Sequence, residues 1–316
     1  MRIFLIVVLV VLAVLVGAFF YLSDRDIPRA TLEAKYATPP SEFLQLPDGS
    51  RAHVRDRGPH DATVIVLIHG NMLSLFTWEA WASRLEDSFR VVTMDLPGHG
   101  LTGAVPSGDY TQKGMVEFVK AVVDYLGLAR FVIGGHSMGG GIAARFAESY
   151  SERVTQLILV DAVGMPSKPP DPQPLVFRVL RAPVLNQVFL HITPRALVAQ
   201  TLSGVIVRKS ILTDAMIDQY WELARMTGTR KATLVRYGPP RESYIKDHIG
   251  DIKVPTLILW GEEDTDIPVS DGHSYAKAIS GSKLIVYPDT GHFSHEEVAD
   301  QSALDVRAFL VATNQP

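Results

Sequence analysis

Phe131-Val132-Ile133-Gly134-Gly135-His136-Ser137-Met138-Gly139-Gly140-Gly141 runs directly into Ile142-Ala143-Ala144-Arg145-Phe146-Ala147-Glu148-Ser149-Tyr150. The first residues are β-branched and aromatic and predict a buried strand. The later ones place apolar side chains at helical spacing. Between the two lies Gly135-x-Ser137-x-Gly139. A turn this sharp from strand to helix crowds the backbone, and residues without Cβ on either side of the serine relieve it. Ser137 is then held strained, with its hydroxyl over the end of the sheet. The following helix adds free N–H groups and the positive end of its dipole beneath the reacting oxygen. The competing reading is a glycine-rich turn with an idle serine, and the flanking strand and helix speak against it.

These residues resemble the nucleophile turn of the α/β-hydrolases of the Ser-His-acid kind, and the resemblance extends from about Phe43 to the end of the chain. Upstream, Phe43 to Leu46 and Arg51 to Arg55 flank Pro47-Asp48-Gly49-Ser50 and predict a hairpin. Thr63-Val64-Ile65-Val66-Leu67-Ile68 is apolar throughout but for its first residue, as a central strand of a parallel sheet requires. It runs into His69-Gly70-Asn71-Met72. The resemblance implies that the backbone N–H of Asn71 and that of Met138 form the oxyanion hole, with Met72 as the donor if the loop register differs by one. His69 reads as structural. Trp78, Trp81, Ala82 and Leu85 mark one helix face, and residues 90–94 another strand. Asp95-Leu96-Pro97-Gly98-His99-Gly100 matches a turn that shapes the pocket rim in the resembled family. Met115, Phe118, Val119, Val122, Tyr125 and Leu126 form an amphipathic helix, which Gly127 caps.

Downstream, residues 154–160 form a strand ending at Asp161. The strand–helix alternation then stops, and a proline-rich opening (Pro166, Pro169, Pro170, Pro172, Pro174) leads into amphipathic segments. Residues 166–250 are expected to be a helical cap inserted over the C-terminal edge of the sheet. The sheet resumes at residues 255–260 and passes into Gly261-Glu262-Glu263-Asp264-Thr265-Asp266. The resemblance places the triad acid at Asp264, and Asp161 is the competing carboxylate. Glu263 and Asp266 read as solvated loop charge. His292, in Pro288-Asp289-Thr290-Gly291-His292-Phe293, follows the last strand, where the family carries its histidine. The order Ser137, Asp264, His292 is the one this fold requires. His295 reads as a surface residue.

The whole chain has 316 residues, 47% hydrophobic and 20% charged, with net charge −4 and no cysteine. That suffices for one large α/β domain and excludes disulfides and thiolate chemistry. Without a basic run, nucleic acid is not an expected partner, and no sequence motif calls for a metal or cofactor. Residues 3–22 are continuously apolar or aromatic apart from Gly17, which predicts a single-pass transmembrane anchor at residues 1–22. A cleaved signal peptide is the alternative, with Val16-Gly17-Ala18 as its cleavage site. Residues 23–41 then read as a linker. Residues 42–165 and 251–316 make up the α/β-hydrolase core, a mostly parallel sheet flanked by helices. With such an anchor the catalytic domain is expected outside the cytoplasmic membrane. Oligomeric state is left open.

The resemblance implies a serine hydrolase cleaving carboxylic esters, lipid-derived ones included, through an acyl-enzyme. Carbon–carbon hydrolases of aromatic ring-cleavage products share the triad and cap. They generally carry tryptophan after the histidine, where this chain has Phe293. A catalytically silent binding protein on the same fold is the alternative of another class.

Overall fold

The computed structural model describes residues 1–165, 178, 180–182, 186–238 and 248–313; the side chains at positions 2, 3, 8, 11, 12, 15, 16, 18 and 21 lie outside the description. The expected prolines that open the cap lie outside it too. Eight strands form one sheet: β1 (Ser41–Gln45), β2 (Arg51–Arg57), β3 (Val64–Ile68), β4 (Arg90–Met94), β5 (Phe131–His136), β6 (Val154–Val160), β7 (Thr256–Gly261) and β8 (Lys283–Tyr287). Their order is β1-β2-β4-β3-β5-β6-β7-β8. The β1–β2 and β2–β4 pairs are antiparallel, and every pair from β4–β3 to β7–β8 is parallel. The sheet is therefore mostly parallel, with the predicted hairpin at its edge.

Alternation along the strands divides the core into two layers. Val66 and Ile68 of β3 face α4 (Gln112–Tyr125) and α5 (Met138–Ser149), among Met115, Val119, Ile142 and Phe146. Ile65 and Leu67 face the other way, against Trp78, Trp81 and Leu85 and the C-terminal helix residues Val306 and Leu310. The Trp81–Leu85 face belongs to α3 (Glu79–Leu85). Both faces are covered, so β3 has no polar side to show.

Residues Arg2–Leu22 form one helix, α1. The expected anchor is nonetheless overturned: among the described residues no helix is long and apolar enough to cross a membrane. The end of α1 is instead tied to the domain. The Phe19 ring lies 5.7 Å from that of His191, and Asp24 N donates to His191 O at 2.7 Å. The placement of the catalytic domain outside the cytoplasmic membrane rested on that anchor and falls with it.

The stretch expected as a linker contains α2 (Arg29–Tyr36), which docks on the domain through fully buried Leu32. Arg29 donates to Leu101 O and Thr102 O at 2.5 and 2.9 Å. Between β6 and β7 the described chain forms α6 (Asn186–Phe189), α7 (Arg195–Val205), α8 (Asp214–Ala224) and α9 (Thr229–Tyr237). Leu202, Ile206, Ile217 and Tyr220 from this segment pack with Leu73 and Phe293, which stand on loops at the C-terminal edge of the sheet. The remaining helices are α10 (Val269–Ala278), α11 (Ser294–Glu297) and α12 (Ala299–Thr313).

Candidate active site

Ser137 ends β5 and precedes α5 with φ 51° and ψ −118°, a conformation that L-residues seldom adopt. The glycines around it are required by close approach. A Cβ on Gly135 would stand 2.2 Å from Gly139 O, and one on Gly139 would stand 2.1 Å from Ile68 O. The turn is held by Ser137 N donating to Val160 O at 2.9 Å and Val163 N donating to Ser137 O at 3.0 Å. Gly70 lies against it: a Cβ there would be 3.1 Å from Ser137 Cβ. The loop after β3 thus abuts the serine. Among the described residues, the backbone N–H groups of Asn71 and Met138 donate to no protein acceptor. Met138 heads α5, where such N–H groups are unpaired by construction. The Asn71 side chain donates from Nδ2 to Tyr237 OH, and Met72 takes φ 60°.

Asp264 and His292 meet directly, with Oδ2 to Nδ1 at 2.7 Å and both side chains buried. Asp264 Oδ1 accepts from Asp266 N at 2.8 Å and Ile267 N at 2.9 Å, which fixes the carboxylate plane. A carboxylate facing Nδ1 requires the proton there, so the neutral imidazole presents its lone pair at Nε2. Burial alone would lower the imidazole pKa. The charge and hydrogen bond of Asp264, then the charges of Asp266 and Asp161, outweigh burial and hold it well above the ordinary 6.5.

Two residues that the motif order did not reveal hold His292 in place. His136, beside Ser137, bonds His292 O through Nε2 at 2.7 Å, with the two rings 4.7 Å apart. Buried Glu297 accepts four backbone N–H groups: Gly291 and Phe293 at 3.0 and 3.2 Å, Val207 and Arg208 at 2.8 and 2.7 Å. His292 N also donates to Val205 O at 2.9 Å. The histidine loop is therefore clamped to the chain that follows α7. The sequence signal was a Glu at the last position of a one-turn helix, which on spacing alone is a surface position.

Asp161 ends β6 with φ 45° and accepts from Gly261 N at 2.8 Å and from Ser294 Oγ and N at 2.6 and 3.2 Å. Burial first, then the charge of Asp264, pushes its carboxyl above the usual range. It touches no nitrogen of His292 in hydrogen-bond range. His295 is fully buried, not on the surface, because α11 turns it inward against Trp78, 4.5 Å between rings, with Nε2 2.8 Å from Thr77 Oγ1. One atom each from His136, Asp161 and His295 lie within 4.8 Å of one another. Both Asp161 oxygens already accept hydrogen bonds, and metal–ligand lengths near 2.1 Å would need a tighter cluster. The group reads as a buried polar core beneath the site, in which His136 Nδ1 and His295 Nδ1 find no hydrogen-bond partner among the described residues.

His69 accepts from Leu96 N at Nε2, 3.0 Å, and faces Gly70 O through Nδ1 at 2.7 Å. Asp95 accepts from Leu75 N and Leu101 N, both at 2.7 Å, and pairs with His53 at 2.6 Å. Both are committed to the loops under the rim. Glu263 is exposed, as expected of loop charge, but Asp266 stands 3.6 Å from His292 Nε2. A cleft starting at Met72 and Leu73 runs past His99 to Tyr220, Leu223 and Thr233, between the sheet edge and the helices that follow β6.

The sequence profile of the alpha/beta hydrolase fold matches residues 63–299. A 2-hydroxy-6-oxononadienedioate/2-hydroxy-6-oxononatrienedioate hydrolase of Klebsiella pneumoniae is 29% identical over 287 residues, covering 85% of this chain and 95% of its own. Among solved structures, a thermophilic esterase from Thermogutta terrifontis superposes with a TM-score of 0.72 at 23% identity, over 87% of this chain and 99% of its own. A bacterial membrane phospholipase A superposes with a TM-score of 0.74 at 24% identity, over the full length of both chains. At these identities the structural likenesses establish the fold.

Proposed function

Because the chain belongs to the alpha/beta hydrolase fold family, we propose that it is a serine hydrolase that cleaves carboxylic esters, lipid-derived ones included, through an acyl-enzyme. The observation that carries this reading is the buried Asp264–His292 pair beside the left-handed Ser137 turn. In this reading the deprotonated form of His292 takes the Ser137 proton at Nε2 as Oγ attacks the carbonyl carbon. The N–H groups of Asn71 and Met138 hold the oxyanion, and Asp264 stabilises the imidazolium. His292 then protonates the departing alcohol, and water releases the acyl group by the same route. Residues 166–250 act as the cap, residues 42–165 and 251–316 as the core.

A serine-directed fluorophosphonate should label the wild type and spare Ser137→Ala. Labelling that survives the substitution removes the nucleophile. p-Nitrophenyl esters of graded chain length then give the acyl preference.

The activity for which the Klebsiella relative is named favours a second reading, hydrolysis of a carbon–carbon bond in a ring-cleavage product. The same Ser137, Asp264 and His292 would serve it. Side-by-side kcat/KM values decide: a 2-hydroxy-6-oxo-dienoate turned over faster than the best ester sinks the ester reading.

A further inference from the structure

His292 is flanked by three carboxylates. Asp264 holds Nδ1, and Asp161 lies in the core beneath. Asp266 is different: its Oδ2 stands 3.6 Å from Nε2, the nitrogen that must exchange protons with nucleophile and leaving group. Its side chain keeps 34% of its surface exposed, while those of Asp264 and His292 keep 0% and 5%. The Asp266 backbone is pinned by its N–H on Asp264 Oδ1, which keeps its Cβ beside the imidazole. The leaving group departs past Nε2, and it does so beside a partly solvated negative charge.

We propose that Asp266 is a specificity-determining residue that selects esters with neutral or cationic leaving groups and disfavours those carrying a carboxylate near the scissile bond. The proposal rests on the serine-hydrolase reading and narrows its substrate class. Two like charges several ångströms apart in a half-buried site repel by an amount that matters to turnover, and opposite charges attract by as much. The same geometry bears on the competing carbon–carbon chemistry. A dienedioate carries two carboxylates, and one brought to the leaving-group side would meet Asp266. Beyond selection, the carboxylate adds to the field of Asp264 and Asp161 on the imidazole. His136 and His295, the other titratable groups against His292, have pKa values lowered by burial first and add no opposing charge at neutral pH.

The test uses three phenyl butyrates that differ only in the para group, a carboxamide, a carboxylate or a trimethylammonium, on the full-length wild type, Asp266→Asn and Asp266→Ser. Comparing each variant with the wild type, substrate by substrate, cancels the intrinsic reactivity of the phenols. We expect the carboxylate ester to gain roughly tenfold in kcat/KM relative to the neutral one in Asp266→Asn, equivalent to about 1.4 kcal/mol. The cationic ester should lose relative to the neutral one, and both differences should shrink as salt is raised. In parallel, the His292 imidazole is titrated by NMR, where Asp266→Asn should move its midpoint to lower pH. A purely structural Asp266 would change all three esters alike, and that result overturns the proposal, as does an unmoved imidazole midpoint. Absence of any ester turnover in the wild type counts against the serine-ester reading. The Asp266–His292 pairing is then judged on the imidazole titration alone.

Discussion

Asp264 and Asp161 end adjacent strands on the same edge of the sheet, yet their oxygens are committed differently. Asp264 gives Oδ2 to His292, whereas Asp161 gives both oxygens to Gly261 and Ser294. Asp264→Asn should therefore lower kcat by roughly a thousandfold or more with little change in stability, because the wrong tautomer is then favoured. Asp161→Asn should cost about tenfold through the packing of the Ser294 turn. Steady-state kinetics with circular dichroism on both variants decides, and a folded Asp161→Asn that is the weaker enzyme moves the acid. Glu296 supplies a pH-dependent case. Burial first, then Glu297, raises its carboxyl from 4.5 to about 7, against the lowering hydrogen bonds of Thr77 and Tyr220. The folded state thus holds a proton that the unfolded state has released, and stability falls as pH rises from 4.5 to about 7. Glu296→Gln should recover on the order of 1–3 kcal/mol at pH above that window and little below it. Urea melts of the pair at two pH values read this, and an equal gain at both would show that the charge is not responsible. Ser137, Asp264 and His292 were legible as candidates because each sits in a short motif. Asp266 was not, since loop charge looks the same in sequence whether it faces water or an imidazole.

At the scale of elements, the site is the meeting of three strand ends with loops fixed from outside the sheet. Glu297 ties the His292 loop at Gly291 N and Phe293 N and the chain after α7 at Val207 N and Arg208 N, and Val205 O holds His292 N. Glu297→Gln keeps the shape but replaces one accepting oxygen by a donor, leaving at least one pair of these N–H groups facing it. We expect a loss of about 2–4 kcal/mol, the range for unsatisfied buried groups around a charged acceptor. Activity should fall through kcat, because His292 shifts relative to Ser137. Chemical denaturation together with kcat on neutral esters reads both, and an unchanged kcat would mean that Val205 O alone holds the histidine. The strands were legible because buried parallel strands have no polar side. Helix α2 was not: eight residues with a single buried apolar position, Leu32, leave no period to detect. Likewise α11 is one turn long, so His295 gave no helical face from which its burial could be read.

Over the whole molecule, α2 works as a strap between the sheet and the helices that follow β6. On one side Arg29 holds Leu101 O and Thr102 O, and Arg51 pairs with Glu33. On the other, Lys35 Nζ and Tyr36 OH both bond Glu222 of α8 at 2.8 Å, and Ile27 bridges to Met226. Leu32 joins Leu101, Leu223 and Met226 in one buried cluster that belongs to neither layer of the core. The exposed Lys35–Glu222 pair contributes little by itself. Leu32 and the two half-buried carbonyl bonds of Arg29 contribute more, about 2–3 kcal/mol for the leucine and about 1–2 for each charged hydrogen bond. Two truncations separate this strap from α1. A chain starting at Ser23 keeps α2 and every residue of the candidate site, so it should melt close to the full-length protein and retain its kcat on short esters. A chain starting at Ala37 loses Leu32 and Arg29 and should melt about 10 °C lower, taking about 2–4 °C per kcal/mol. It should also show a higher KM, because α8 and the Tyr220–Leu223 wall of the cleft lose their tie to the sheet. Thermal melts and Michaelis curves on the two chains decide. Equal behaviour of both would return residues 23–36 to the role of a spacer, and loss of turnover in the Ser23 chain would place α1 within the working enzyme.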